Sequence, residues 1–186
     1  MAETVTENMP SAEIAVNAHI GLRLLEPAYS ESIYEILQTD PTIQTRVTWT
    51  AGLQSIDDVR REIEEFQTTS SRRYAIVEDG AVIGYAGGWR DSGYFGVVHE
   101  DEFGFGYFCD PSVRGRGIVT DVMRAFMHDI ERTEAPKSFA LYIADDNPAS
   151  QAVAHKLGFH ATDEVYDEPV LLCKERRWML PAEELA

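Results

Sequence analysis

Residues 106–131, GYFCDPSVRGRGIVTDVMRAFMHDIE, constrain this chain more than any other stretch, because a strand pattern, a turn and a helix pattern follow one another there without a spacer. Phe103, Phe105 and Tyr107 alternate with Gly104, Gly106 and Phe108, the period of a strand, and Asp110-Pro111-Ser112 supplies residues that end a ladder. From Ile118 the apolar positions are Ile118, Val119, Val122, Met123, Phe126, Met127 and Ile130, the stripe of a helix packed on a sheet. Arg114-Gly115-Arg116-Gly117 joins the two. Two glycines before a helix let the backbone bend sharply and approach a ligand without a Cβ in the way. The unpaired first-turn amides and the positive end of the helix dipole then form an anion site, to which Arg114 and Arg116 add charge. The ligand expected there is a phosphate, and a plain turn with two solvated arginines is the alternative.

Other phosphate loops fit these letters poorly. The chain has no Gly-x-x-x-x-Gly-Lys-Ser/Thr run, and a dinucleotide fingerprint would need Gly or Ala where Thr120 stands and would normally open its domain.

Around this unit the chain reads as alternating elements. Residues 1–17 have little periodicity and are expected as a flexible leader, with residues 18–186 a single domain. Residues 19–25 suit a first strand, and Glu26-Pro27 starts a helix whose face holds Ile33, Ile36 and Leu37 and which ends at Asp40-Pro41. Ser55 caps a second helix bearing Val59, Ile63 and Phe66. Trp49, just before it, is expected in the core rather than in a cleft wall. Asp79-Gly80 marks a hairpin between residues 74–77 and 81–89, and residues 90–101 form an irregular excursion. Residues 139–143 make a buried strand parallel to the central one, joined to it by a right-handed crossover. Asn147 and Pro148 start a last helix of about ten residues, with Lys156 and Gly158 at its end. Residues 159–162 and 170–174 complete the sheet.

The balance of 32 acidic against 16 basic residues gives a formal charge of -16, which repels nucleic acid and anionic membranes; it would attract a cationic amine, and a solvated acidic surface that keeps the chain soluble is the favoured alternative. Cys109 and Cys173 lie in apolar runs without metal-site spacing and are expected as buried reduced thiols. His19, His99, His128, His155 and His160 form no close ligand pair, so no metal is expected. No stretch is long and apolar enough to span a bilayer, and the first residues lack the basic and apolar regions of a signal peptide. A reducing cytoplasm is the expected compartment.

Two motifs in order carry a resemblance. Ser112-Val113-Arg114-Gly115-Arg116-Gly117 resembles motif A of the GNAT superfamily of acyl-CoA-dependent N-acetyltransferases, Arg/Gln-x-x-Gly-x-Gly/Ala, with Ser112 in the first position as in the RimJ/RimL-like branch. Asn147-Pro148-Ala149-Ser150 followed by Lys156-Leu157-Gly158-Phe159 resembles that branch's motif B. The resemblance implies an α/β (α+β) fold, a mixed and mostly antiparallel sheet with one splayed parallel strand pair and helices on both faces. It implies acetyl-CoA as cosubstrate, its pantetheine arm along Tyr107, Phe108 and Cys109, its pyrophosphate over Arg114, Gly115, Arg116, Gly117, Ile118 and Val119, and a contact from Asn147. His155 and Lys156 face either the coenzyme's 3′-phosphate or solvent.

Acetyl transfer to an amine needs a base for the amine proton and an acid for the departing thiolate. Glu102, at the start of the central strand, is the candidate base, with Glu100, Asp101 or water as alternatives. The Tyr that many GNAT enzymes use as acid would stand at Ala154, so the resemblance passes that role to Ser150, which equally suits a helix first turn. The function implied is transfer of an acetyl group to a primary amine, a protein N-terminus or a small cationic amine. A non-catalytic acyl-CoA-binding sensor is the alternative. A homodimer is left open.

Overall fold

A computed structural model describes residues 11–65, 71–94 and 97–185. Its frame is an eight-stranded sheet in the order β1-β2-β3-β4-β7-β8-β10-β9. The strands are β1 (Glu13–Ala15), β2 (Ile20–Leu24), β3 (Ser71–Glu78), β4 (Ala81–Arg90), β7 (Glu102–Cys109), β8 (Ser138–Ala144), β9 (His160–Glu168) and β10 (Cys173–Pro181). Every neighbouring pair is antiparallel except β7 and β8. A short hairpin of β5 (Gly93–Tyr94) and β6 (Val97–Val98) stands apart, within the excursion expected over residues 90–101.

Alternation along the strands sorts the core into two layers. Phe103 and Phe105 of β7 and Phe139, Leu141 and Ile143 of β8 pack with Met123, Phe126 and Met127 of α3 (Ile118–Glu134) and with Ala154 of α4 (Pro148–Lys156). On the other face Tyr85 and Phe108 pack with α1 (Ser30–Thr39) and α2 (Ile56–Glu65) through Ile33, Leu37, Val59 and Ile63. Ser55 caps α2 as expected, its hydroxyl oxygen accepting the Asp58 N–H at 3.1 Å. Pro27 opens a 3-10 turn that runs into α1, and Asp79, with a positive φ of 48°, turns β3 into β4. Phe66 lies outside the described residues.

Three expectations are corrected. Residues 11–17 are not a loose leader: Ser11 donates to Asp129 at 2.9 Å, and β1 pairs with β2 at the sheet edge. The last two strands are longer and displaced, covering 160–168 and 173–181, while Val170 and Leu172 lie exposed in the turn between them. The displacement hides in the letters because Glu175 and Arg177, which look like solvent-facing charges, are buried polar residues of β10. Cys109 is buried but Cys173 is only half-buried; both are free.

Candidate active site

β7 and β8 pair in parallel only from Glu102↔Ser138 to Phe105↔Leu141. Both strands continue, to Cys109 and Ala144, without pairing further. The splay leaves one edge of β7 with backbone groups that no strand satisfies, and such groups require another partner. A cleft of about 740 Å³ opens at this point, lined by Phe105, Gly106 and Tyr107 on one strand, Leu141, Tyr142, Ile143 and Ala144 on the other, and Asn147 and Ser150 of the α4 start. Its depth comes from missing side chains. A Cβ on Gly106 would meet no atom within 4 Å, whereas its neighbour across the ladder, Gly87, is covered by the Tyr85 side chain.

At the far end of β7 the glycine turn takes the conformation its residues permit. Gly115 and Gly117 have φ of 76° and 82°, the left-handed region, and no side chain caps α3. The first-turn amides are therefore left for an external acceptor. The arginines differ from the simple expectation: Arg114 is ion-paired with Asp40 and also donates to the Cys109 carbonyl at 3.3 Å, and Arg116 holds Glu78 at 3.0 Å. Both stay about half exposed. Hydrogen bonding from Thr42, then from Arg114, keeps the Asp40 carboxyl below its ordinary range. Ile118 is buried in the core and Val119 is half-buried, so this turn offers backbone rather than side chains. It lies beyond the lining of the cleft, as do Phe108 and Cys109.

Asn147 caps α4, its side-chain oxygen accepting the Ser150 N–H at 3.2 Å. Ser150 lines the cleft, and its side chain lies within hydrogen-bonding reach of the Tyr107 phenol. The Tyr107 hydroxyl donates to the Ser150 carbonyl at 3.5 Å, and burial pushes that phenol up to about 12, so it stays protonated at neutral pH. Ala154 is fully buried and packs in the core.

Glu102 stands elsewhere than expected. Its carboxylate is 1% exposed, does not line the cleft, and is ion-paired with Arg177, whose Nε lies 3.2 Å from it. Ser92, Ser138 at 3.2 Å and Tyr142 at 3.4 Å also reach it, and Arg177 continues to Glu164 at 2.9 Å. A carboxylate so enclosed cannot touch an acceptor amine. Glu100 is exposed and Asp101 pairs with Lys137 at 2.6 Å, and neither lines the cleft.

The carboxylates that do line it are Glu62, Glu168 and Glu175, none of which carries a local sequence signal. Glu168 and Glu175 are buried on adjacent strands, with Glu168 accepting the Leu171 N–H and Glu175 opposite Ala144 in register. Trp49 also proves to be a wall: it lines the cleft and is only half-buried, with Tyr85 at 5.0 Å and the Arg73 guanidinium 5.6 Å above its ring. Among the described residues no three His, Cys, Asp or Glu side chains gather as metal ligands, and no helix is long and apolar enough to cross a membrane.

Comparison with known proteins bears on this geometry. The Acetyltransferase (GNAT) domain family matches residues 19–160. The ribosomal-protein-serine acetyltransferase of Escherichia coli (strain K12) is 24% identical over 151 residues, covering 78% of this chain and 82% of that protein. Among solved structures, Mycobacterium smegmatis RimJ in complex with CoA-disulfide superimposes with a TM-score of 0.79 at 14% identity, covering 96% of this chain and 90% of that one. RimL, a ribosomal alpha-N-protein acetyltransferase in complex with coenzyme A, gives 0.76 at 18% identity over 91% and 97%. The microcin C7 self-immunity acetyltransferase MccE, in complex with acetyl-CoA and AMP, gives 0.75 at 19% identity over 94% and 98%.

Proposed function

The chain belongs to the GNAT family of acetyltransferases, and from that premise we propose that it transfers the acetyl group of acetyl-CoA to a primary amine bound in the cleft between the α1–α2 side and the splayed strands. The observation that carries the reading is the splay itself. A parallel pair that stops at Phe105↔Leu141 leaves a strand-wide gap, and a pantetheine arm has the amides to fill it. In this reading the arm lies along Tyr107, Phe108 and Cys109, with Asn147 across the gap. The pyrophosphate takes the free amides around Gly115, Gly117, Ile118 and Val119, with Arg114 and Arg116 beside it.

The chemistry follows from the groups that face the cleft. A neutral amine attacks the thioester carbon, and its proton passes to a cleft carboxylate, in this reading Glu168, which lines the cleft as Glu102 does not. Backbone N–H groups at the splay face the oxyanion. The Ser150 hydroxyl, beside the Tyr107 phenol on the cleft lining, donates to the departing sulfur, a role supported by Ala154 one turn further on, which has no polar atom to offer. Glu102 supports the site from beneath, holding Arg177 and the hydroxyl of Tyr142, a residue of the cleft wall.

Release of free thiol from acetyl-CoA across a panel of amines tests the reading, with calorimetry for the cofactor. Binding of acetyl-CoA with thiol release dependent on one class of amine is the expected result. Binding without release by any amine would point to the non-catalytic sensor, and no binding would remove the assignment altogether.

A further inference from the structure

Tyr107 brings a second hydroxyl to the end of the cleft that Ser150 occupies. It stands two residues past Phe105, where β7 has left β8, while its other edge is still held by β4 through the Tyr107↔Ala86 pair. Alternation along β7 sets its ring on the face of Phe103 and Phe105, against the core that α3 and α4 cover. Ladder and packing together fix the phenol independently of any ligand, on the strand that borders the gap.

A tyrosine in apolar packing needs a partner for its hydroxyl. Among the described residues that partner is Ser150. The Tyr107 hydroxyl lies 3.5 Å from the Ser150 carbonyl oxygen and within hydrogen-bonding reach of the Ser150 side chain. At that distance the carbonyl contact is at the long limit of a hydrogen bond, so turning the phenol proton to the serine Oγ costs little. The Ser150 hydroxyl can rotate as well. It carries one proton and two acceptor lone pairs, and in a helix such a group can turn back to the carbonyl one turn earlier. That carbonyl is Asn147's, which already accepts the Gln151 N–H at 3.2 Å. A donor placed on Oγ fills one lone pair and leaves the serine proton to point away from it.

Resting on the acetyltransferase reading, we propose that Tyr107 is a positioning residue for acetyl transfer: its phenol donates to the Ser150 oxygen and so directs the Ser150 proton to the coenzyme A sulfur. Tyr107 gives up no proton of its own. Burial pushes the phenol up to about 12, so it remains a donor throughout the neutral range. A hydroxyl that accepts a hydrogen bond also donates more strongly, which adds to the effect of direction. Phenylalanine would fill the same space against the core and leave the serine rotor unset.

The test compares Tyr107→Phe, Ser150→Ala and the double variant in the full chain. Tyr107→Phe removes one oxygen and keeps the ring, so it is expected to fold. Thiol release is followed with the amine that the wild type uses fastest. Tyr107→Phe should lower kcat at least tenfold, keep the acetyl-CoA dissociation constant within twofold, and cost less than threefold where residue 150 is already alanine. A second readout needs no acceptor: the ultraviolet absorbance of the thiolate in the complex with coenzyme A, titrated with pH and corrected for the free protein. Donation to the sulfur favours its charged form, so Ser150→Ala and Tyr107→Phe should each raise the thiol pKa, and the double variant no further than Ser150→Ala. Wild-type kcat in Tyr107→Phe overturns the proposal, as does an unchanged thiol titration. Equal losses in both Ser150 backgrounds would mean that the phenol acts apart from Ser150, and a loss of cofactor affinity alone would make it a wall residue; either result overturns the proposal. If no amine releases thiol while coenzyme A binds, the acetyltransferase reading falls and the role in transfer with it, whereas the titration still reports whether Tyr107 acts on the sulfur through Ser150.

Discussion

Ser150 and Glu102 show how differently two polar side chains fare within one site. Ser150 lines the cleft beside the Tyr107 phenol, whereas the Glu102 carboxylate is enclosed by Arg177, Ser92, Ser138 and Tyr142. The first is therefore expected to matter for rate and the second for stability. Ser150→Ala should lower kcat and kcat/KM together by about 10²-fold and leave acetyl-CoA affinity nearly unchanged, since its contact forms only as the sulfur leaves. Near-normal kcat with a lowered melting temperature would make Ser150 a helix residue and nothing more. For Glu102, removing one partner of a buried ion pair leaves the other charge uncompensated, a loss of roughly 3 kcal/mol or more. Urea unfolding of Glu102→Gln should show that loss, and an unchanged midpoint would mean that Arg177 finds another counter-charge.

At the level of elements, the glycine turn and the end of α1 act together. Gly117 holds φ at 82°, so any side chain there is strained, and a glutamate would also place negative charge at the free amides of α3. Gly117→Glu should raise the acetyl-CoA dissociation constant at least tenfold, about 1.4 kcal/mol; calorimetry showing wild-type affinity in a folded variant would move the pyrophosphate elsewhere. The turn is tied to the 3-10 segment Pro41–Thr45 through Arg114 and Asp40, and that segment is tied to the α4 side through Arg46 and Asp146. Because the folded Asp40 carboxyl lies below its ordinary 3.8, the stability it contributes is complete above that value. It is lost as pH falls through the depressed folded value. Asp40→Asn should therefore lower the urea midpoint at neutral pH but change it little in strong acid, and a constant difference at all pH values would show that the ion pair is not the cause.

Over the whole molecule the excess of acidic groups, giving a formal charge of -16, surrounds a cleft that is itself lined by three glutamates. A cationic acceptor is drawn to such a field, and added salt screens it. For a cationic amine acceptor, kcat/KM should fall as sodium chloride rises from low to physiological ionic strength, while melting temperature rises as self-repulsion is damped. A rate independent of salt would confine the charge effect to the buried glutamates.

The sequence by itself determined the parts of this protein whose signals are local. Alternating Phe and Gly in β7, the left-handed glycines, the apolar stripe of α3 and the Asn147 cap each need only neighbours along the chain, and each stands where its letters put it. Only the tertiary structure decided which carboxylates meet the cleft, because that depends on pairings between residues far apart. Glu102 and Arg177 lie 75 positions from each other, and their union buries one expected base and turns the charged letters of β10 into an interior strand. The same register that hides Glu102 sets Glu175 opposite Ala144 at the splay. Residues 11–17 gained their structure in the same way, from an edge of β2 and from Asp129, neither of which their own composition announces.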